Sequence, residues 1–328
     1  MRAVHVKMTV ATVLLGSYLV ASKLILREVP VFTATFVRLV SAAALLALYV
    51  RLRGRGPAVR PGRRDGAVLF AQTFLGVFLF SVFAMYGVKF TGAIEAGVIL
   101  GMVPISISLV ALLFLGERLS SRRGTGIVLA VVGAVSINVM SSQSSEGAAG
   151  SHVALGALLL VCSVLCEAVF VTFGKLLSTP IPPARLSLIL SVAGALMFLV
   201  PAGIESGWGA GLAQVSWQTW ALMIYTGVAI NGVAVVLMYD SLDSVDTTVV
   251  AAFTAVTPVS GTVLSVLLLH EEFRLHHLLG MALVIAGVFV VAREKNSGDG
   301  GEVAGSGKGS GDAEIDGINP VTSRSAVT

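Results

Sequence analysis

Ten apolar runs, separated by short polar or glycine-rich breaks, account for most of the chain. Their approximate limits are 8–26, 31–50, 67–87, 93–115, 124–140, 153–177, 185–204, 218–239, 247–269 and 275–292. Each lies near the roughly 20 residues that a helix needs to cross about 30 Å of hydrocarbon. Period-2 alternation is absent, which argues against a transmembrane barrel. The pattern predicts an all-α membrane protein with ten transmembrane helices. The first run has the Arg2 and Lys7 flank of a secretory signal. It aligns with the sixth run, which no signal peptidase reaches, and is read as retained.

That alignment is part of an internal duplication. Pro104, Glu117, Gly126 and Gly133 fall on Pro258, Glu271, Gly280 and Gly287 at an offset of 154. Lys23 and Pro30 fall on Lys175 and Pro182 at 152, and Met85-Tyr86 on Met238-Tyr239 at 153. The drift needs only two single-residue indels in loops. The repeat is a half-protein, far longer than a solenoid unit, and duplicated membrane halves are a transporter habit. The division expected is a first repeat over 1–140, a polar linker over 141–151, a second repeat over 152–292 and a disordered tail over 293–328.

Five spans per half is an odd number, so the second half is expected to enter the membrane inverted. Charge supports this. The loop after the second run carries Arg51, Arg53, Arg55, Arg60, Arg63 and Arg64, and the loop after the fourth carries Arg118, Arg122 and Arg123. The repeat partner of the latter, after the ninth run, keeps only Arg274 beside Glu271 and Glu272. Opposite sidedness of one structural corner explains the difference. Both termini are then cytoplasmic, in a multi-pass protein of the cell membrane.

Composition agrees: 55% hydrophobic residues, 12% charged and a mean hydropathy of +0.91 are more apolar surface than a globule of 328 residues can hide. The net charge of +4 comes largely from the cytoplasmic arginines and suits anionic lipid, not nucleic acid. Cys162 and Cys166, spaced i,i+4 in one apolar run, read as small hydrophobes. His270, Glu271, His276 and His277 fail the zincin pattern because Arg274 stands at the second histidine position, so no metal is expected. No phosphate-binding glycine loop is present, and neither ATP nor another cofactor is implied.

Ionisable groups inside hydrocarbon are functional candidates. Glu167 lies about fourteen residues into the sixth run, near the midplane, and its repeat counterpart is Leu15. It suits binding of an amine or exchange of a driving proton; the structural alternative is a hydrogen bond to a neighbouring helix. Arg38 lies roughly 12 Å deep from the outer side by helix rise. Lys23 and Glu95 are shallow on that side. The three could line an outer vestibule for a substrate carboxylate, or Arg38 and Glu95 could pair. Lys175 reads as a cytoplasmic interfacial anchor. Pro104 and Pro258 sit mid-run, where each removes a helical hydrogen bond and gives a kink, as hinge or as shape. Glu117 and Glu271 stand between helices, where a carboxylate accepts the free N–H groups of the following helix. Gly92, Gly97 and Gly101, with Gly126 and Gly133, permit close helix approach, and a glycine-rich face of this kind serves internal packing and dimers equally. Asp240, Asp243 and Asp246 follow the eighth run as a cation-attracting mouth or, at Asp246, a helix cap.

The paired five-helix halves resemble the drug/metabolite transporter superfamily, in particular its EamA-type members. The resemblance rests on Gly16 to Lys23, Pro30, Arg38, Pro104, the Leu115-Gly116-Glu117-Arg118-Leu119 run, Gly126 and Gly133. In the second half it rests on Pro258, Leu269-His270-Glu271, Gly280 and Gly287. His270 stands where the family usually shows glycine, and Leu190 where the first half has Arg38. The resemblance implies a fold of two inverted repeats and substrates among amino acids, nucleosides, sugars, amines and drugs, with export the usual direction. The expected function is secondary-active export of a small metabolite or drug, amino-acid-like or an amine, by alternating access, with protons as candidate coupling ion. The alternative is an integral membrane enzyme, or a lipid-flipping or helper subunit, working at the membrane interface.

Sidedness is directly measurable. Reporter fusions after Arg64 and Arg123 should report cytoplasm, and a fusion at Gly150 the exterior. A cytoplasmic signal at Gly150 would give both halves one orientation and overturn the inversion.

Overall fold

In a bilayer no water satisfies the peptide groups, so a spanning chain must bond them within helices. The computed structural model describes residues 2–53, 62–115, 121–143, 148–174, 176–179, 181–207, 210–237 and 256–302, and all regular structure among them is helical. The helices are α1 (Arg2–Ile25), α2 (Val31–Leu52), α3 (Arg63–Phe90), α4 (Ala93–Leu100), α5 (Val103–Leu115) and α6 (Ser121–Gln143). They continue as α7 (Ala148–Gly174), α8 (Pro183–Glu205), α9 (Trp217–Leu237), α10 (Val256–Leu269) and α11 (Leu275–Glu302).

Six helical stretches are long and apolar enough to cross a membrane: Val6–Ile25, Val31–Leu52, Arg63–Phe90, His152–Gly174, Pro183–Glu205 and Trp217–Leu237. Shorter apolar stretches cover Ala93–Ile107, Gly124–Ile137, Val256–Leu269 and Leu275–Val291. Large side chains such as Phe70, Leu158, Leu196 and Leu267 are exposed on the outer faces, the arrangement expected against lipid tails.

Close backbone approach at glycine organises the interior. A Cβ at Gly126 would lie 2.8 Å from the carbonyl oxygen of Gly287, and one at Gly133 would lie 2.7 Å from that of Gly280. Helices α6 and α11 therefore touch backbone to backbone at two levels. Helix α1 meets α10 in the same way, Gly16 lying against Thr257 and Gly261. Helices α2 and α8 join through Leu39, Ala195 and Phe198, with Phe32, Phe36 and Phe78 packed around them.

Polar side chains tie helix ends together. Glu28, between α1 and α2, accepts the Ser216 N–H (2.9 Å) and hydroxyl (3.0 Å) at the start of α9. These bonds hold the Glu28 carboxyl below its ordinary pKa. Asp65, at the start of α3, accepts the Ser178 N–H (3.0 Å) and the Thr179 hydroxyl (2.6 Å) between α7 and α8. Glu205, ending α8, accepts the Thr33 N–H at 2.9 Å in the first turn of α2.

The structure departs from expectation in four places. Pro104 does not kink a continuous helix. The chain turns at Gly101-Met102 between α4 and α5, and Pro104 falls in the first turn of α5, where its missing N–H is no loss. The linker shrinks, because α6 runs to Gln143 and α7 opens at Ala148; residues 144–147 lie outside the described ones. Helix α11 continues to Glu302, past the expected limit of 292, through the helix-forming Ala292, Arg293, Glu294 and Lys295. Residues 303–328 lie outside the described ones. Lastly, α3 and α9 each contain a π-helical stretch, Gln72–Leu79 and Thr226–Ala234, that no apolar periodicity announces.

The glycine contact between α6 and α11 can be tested against an exposed glycine. Gly133→Ala should cost about 1–3 kcal/mol, the range for overpacking. Gly66→Ala, with open space around it, should keep or slightly raise stability. Thermal unfolding of the purified variants distinguishes them, and equal midpoints would remove the close-approach argument.

Candidate functional site

Two polar groupings lie within the helical body, and the expected site residues divide between them. The first is a corner formed by the end of α1, the start of α4 and the α10–α11 connection. Lys23, in the last turn of α1, donates to the Thr91 carbonyl and sits 3.2 Å from the Glu271 carboxylate. Glu271 also accepts the Ala93 N–H at 2.9 Å and the Ile94 N–H at 3.1 Å, the otherwise unbonded donors of the first turn of α4. The capping chemistry expected of Glu271 is present, but the helix it caps is α4, not the following α11. Only folding could bring that helix, 178 residues away, to this carboxylate.

Glu95, one turn into α4, faces Nε2 of the buried His277 at 3.4 Å, while His277 Nδ1 accepts the Arg274 N–H at 3.1 Å. His270 ends α10 in the left-handed conformation, φ 55° and ψ 33°. That geometry favours glycine and explains why glycine suits this position of the repeat motif. Glu117, Lys175 and the Asp240, Asp243, Asp246 series lie outside the described residues.

The second grouping surrounds Arg38. Its guanidinium donates to Ser81 Oγ at 2.8 Å and lies over the Tyr18 ring, 5.1 Å from the centroid. Arg38 is 6% exposed, and its Nε has no hydrogen-bond partner. Arg38 and Glu95 are not paired, and the vestibule expected from Arg38, Lys23 and Glu95 is divided: Lys23 and Glu95 belong to the corner, and Arg38 stands apart. The hydroxyls of Tyr18 and Ser22, neighbouring turns of α1, are also buried without partners.

Glu167 is half-buried in α7. It follows the buried Leu160, Ser163 and Val164 by seven, four and three residues, which places it on the same inward stripe. The neighbouring α3 runs antiparallel, with Gly87 against Leu160 and Gly76 against Phe170. Glu167 is therefore level with about residue 79 of α3, within one turn of the Ser81 that holds Arg38. It makes no hydrogen bond or ion pair with a described residue, so the neighbouring-helix bond of the structural alternative is not formed. Pro258 is buried in α10, its ring 3.4 Å from where a Cβ of Gly101 would lie. Pro258 and the α4–α5 break thus meet across the molecule.

Tyr18, Ser22 and Ser81 are absent from the sequence-based candidates, and His277 figures there only in the rejected metal pattern. For Tyr18 and Ser22 a signal existed: two polar residues at i,i+4 share one face of an apolar run.

The corner predicts a thermodynamic coupling. Glu271→Ala should cost about 1–2 kcal/mol through loss of the α4 cap and leave Lys23 without its counter-charge. Adding Lys23→Met should then cost less than it does alone. A double-mutant cycle on thermal unfolding reads the coupling, and strictly additive losses would dissolve the pair.

Known proteins share this architecture. A crystal structure 18% identical in sequence superposes with a TM-score of 0.62 over 90% of this chain and 99% of its own, a likeness of fold alone. The uncharacterized transporter YetK of Bacillus subtilis is 33% identical over 297 residues, covering 90% of this chain and 88% of its own. An uncharacterized transporter of Archaeoglobus fulgidus is 25% identical over 234 residues, covering 71% of this chain and 79% of its own. The WAT1-related protein At3g02690, chloroplastic, of Arabidopsis thaliana is 25% identical over 282 residues, covering 84% and 66%. The profile of the EamA-like transporter family matches twice, over residues 4–139 and 154–293. With both halves matched, and helices fit to cross a membrane, the chain belongs to the EamA-like transporter family, multi-pass membrane transporters of the drug/metabolite superfamily.

Proposed function

We propose that this protein is a secondary-active exporter of a small metabolite or drug across the cell membrane, built as two inverted five-helix repeats with cytoplasmic termini and driven by a proton gradient through Glu167. The observation that carries the reading is the exchange of equivalent contacts between the halves. Gly126 meets Gly287 while Gly133 meets Gly280, and in the repeat alignment Gly126 is the counterpart of Gly280 and Gly133 of Gly287. Residue i touching j' while j touches i' is the signature of a two-fold relation.

Three further features support the same relation. The family profile matches each half once. The π-helical stretches begin 154 residues apart, at Gln72 and Thr226. Glu28 on Ser216 and Asp65 on Ser178 and Thr179 are the same corner contact with donor and acceptor roles exchanged. Inverted halves can rock about such an axis and expose a central site to each side in turn.

Gating and coupling follow from the two polar groupings. With the arginine-rich loops inside the cell, the corner of Lys23, Glu271, Glu95 and His277 lies at the outer face. Its bonds join α1, α4 and the α10–α11 connection, which closes that side, and opening must release them. Carrying a charge at the bilayer centre costs about 2.5–3.5 kcal/mol. A change in wetting between the two access states therefore alters whether Glu167 holds its proton. A half-buried carboxyl without a partner among the described residues is suited to that exchange.

Glu167→Gln keeps the shape and hydrogen-bonding capacity but does not titrate. In inside-out vesicles given a small-metabolite panel, the wild-type protein should show pH-gradient-driven transport. The variant should lose it while expression and thermal stability stay near normal. Undiminished gradient-driven transport in the variant would make Glu167 a structural residue.

A further inference from the structure

Arg38 is a buried cation without an anion among the described residues. Among the described residues, the carboxylates in and beside the membrane helices face other partners: Glu28 faces Ser216, Asp65 Ser178, Glu205 Thr33, Glu271 Lys23 and Glu95 His277. Glu167 makes no ion pair with it. The Tyr18 ring and the Ser81 hydroxyl are the partners that Arg38 does have, and neither neutralises it. An uncompensated charge in a low-dielectric interior is strongly unfavourable.

The neighbouring hydroxyls are equally unsatisfied. Elsewhere in these helices, hydroxyls bond to their own backbone: Thr12 to Met8, Thr35 to Val31, Ser41 to Val37. Ser22, 1% exposed, makes no such bond, and neither does Tyr18, 8% exposed. Tyr18 and Ser22 are one turn apart on the same face of α1, and the Arg38 guanidinium lies over the Tyr18 ring. Three donors, Arg38 Nε–H and the two hydroxyls, thus lie around one stretch of α1 with no acceptor among the described residues.

We propose that Arg38, Tyr18 and Ser22 bind the carboxylate of a small organic monoanion, with Ser81 as a positioning residue that holds the guanidinium; this names the substrate class of the transport function proposed above and rests on it. A carboxylate presents two oxygens with about four acceptor sites and takes two parallel bonds from a guanidinium edge. One arginine balances one negative charge. Lys23, next to Ser22 on α1, is committed to Glu271, so a phosphate dianion would remain half-neutralised.

Equilibrium binding tests the site apart from transport. The purified full-length protein in detergent is titrated with acetate, propionate, benzoate and phenylacetate, and with the matching uncharged amides, at constant ionic strength. Thermal unfolding is the readout. At least one carboxylate should raise the midpoint in a saturable way, and its amide should not. Tyr18→Phe and Ser22→Ala remove only unpartnered hydroxyls, so both variants should fold as well as the parent. Each should weaken carboxylate binding about tenfold, the loss expected for one hydrogen bond to a charged group. Arg38→Gln should abolish it. Equal response to carboxylates and amides, or none to either, would overturn the proposal. So would unchanged carboxylate affinity in both Tyr18→Phe and Ser22→Ala, a result that stands even if Arg38→Gln does not fold. Absence of gradient-driven transport in the wild-type protein, with the carboxylate response intact, would instead count against the coupling mechanism, so the two readings fail separately.

Discussion

The backbone contact between α6 and α11 is the constraint on which the arrangement of this protein depends. Lipid tails are as apolar as leucine, so burying leucine between two membrane helices gains little over leaving it in lipid. What gains is van der Waals contact at close range, and close range requires that side chains be absent. Gly126, Gly133, Gly280 and Gly287 supply that absence at two levels of one interface. The same means joins α1 to α10 at Gly16 and Gly261. Small residues thus fix the helix pairs, and larger apolar side chains are left to fill the interior or face lipid.

Several carboxylates near the helix ends serve as partners and caps: Glu271 is at once the partner of Lys23 and the cap of α4, and Glu205 caps α2. Each such bond satisfies N–H groups that a helix terminus leaves open. Elsewhere in the helical body, satisfaction fails at particular atoms. Arg38 Nε and the Tyr18 and Ser22 hydroxyls have no partner, and Glu167 makes no bond to a described residue. A protein that must bind and release cargo in mid-membrane has reason to leave donors and acceptors unfilled there. Filling them internally would stabilise one resting structure at the expense of binding.

The breaks in helical regularity occupy corresponding places. The α4–α5 turn at Gly101-Met102 meets Pro258 of α10, and π-helical stretches interrupt α3 and α9. Such interruptions shift the helical phase and free carbonyl groups locally. They are also the positions where a helix bends with least disruption of its remaining bonds.

Apolar run length and the internal repeat made the membrane class and the ten apolar segments legible from sequence, because bilayer thickness sets the first and equal offsets betray the second. Family membership was legible for the same reason: glycine, proline and glutamate recur where backbone geometry admits few alternatives. His270 illustrates the limit, since its oddity was visible in the motif but its left-handed backbone was not. Which polar groups meet was decided by tertiary structure alone. Arg38 was expected beside Glu95 because both lie toward one side of the membrane; it instead rests on Ser81 and Tyr18, while Glu95 faces His277. Depth along a helix can be counted in residues, at 1.5 Å each. The direction in which a side chain points relative to the other helices cannot be counted so. It is fixed by the close contacts of distant glycines, which bring residues nearly two hundred positions apart to hydrogen-bonding distance.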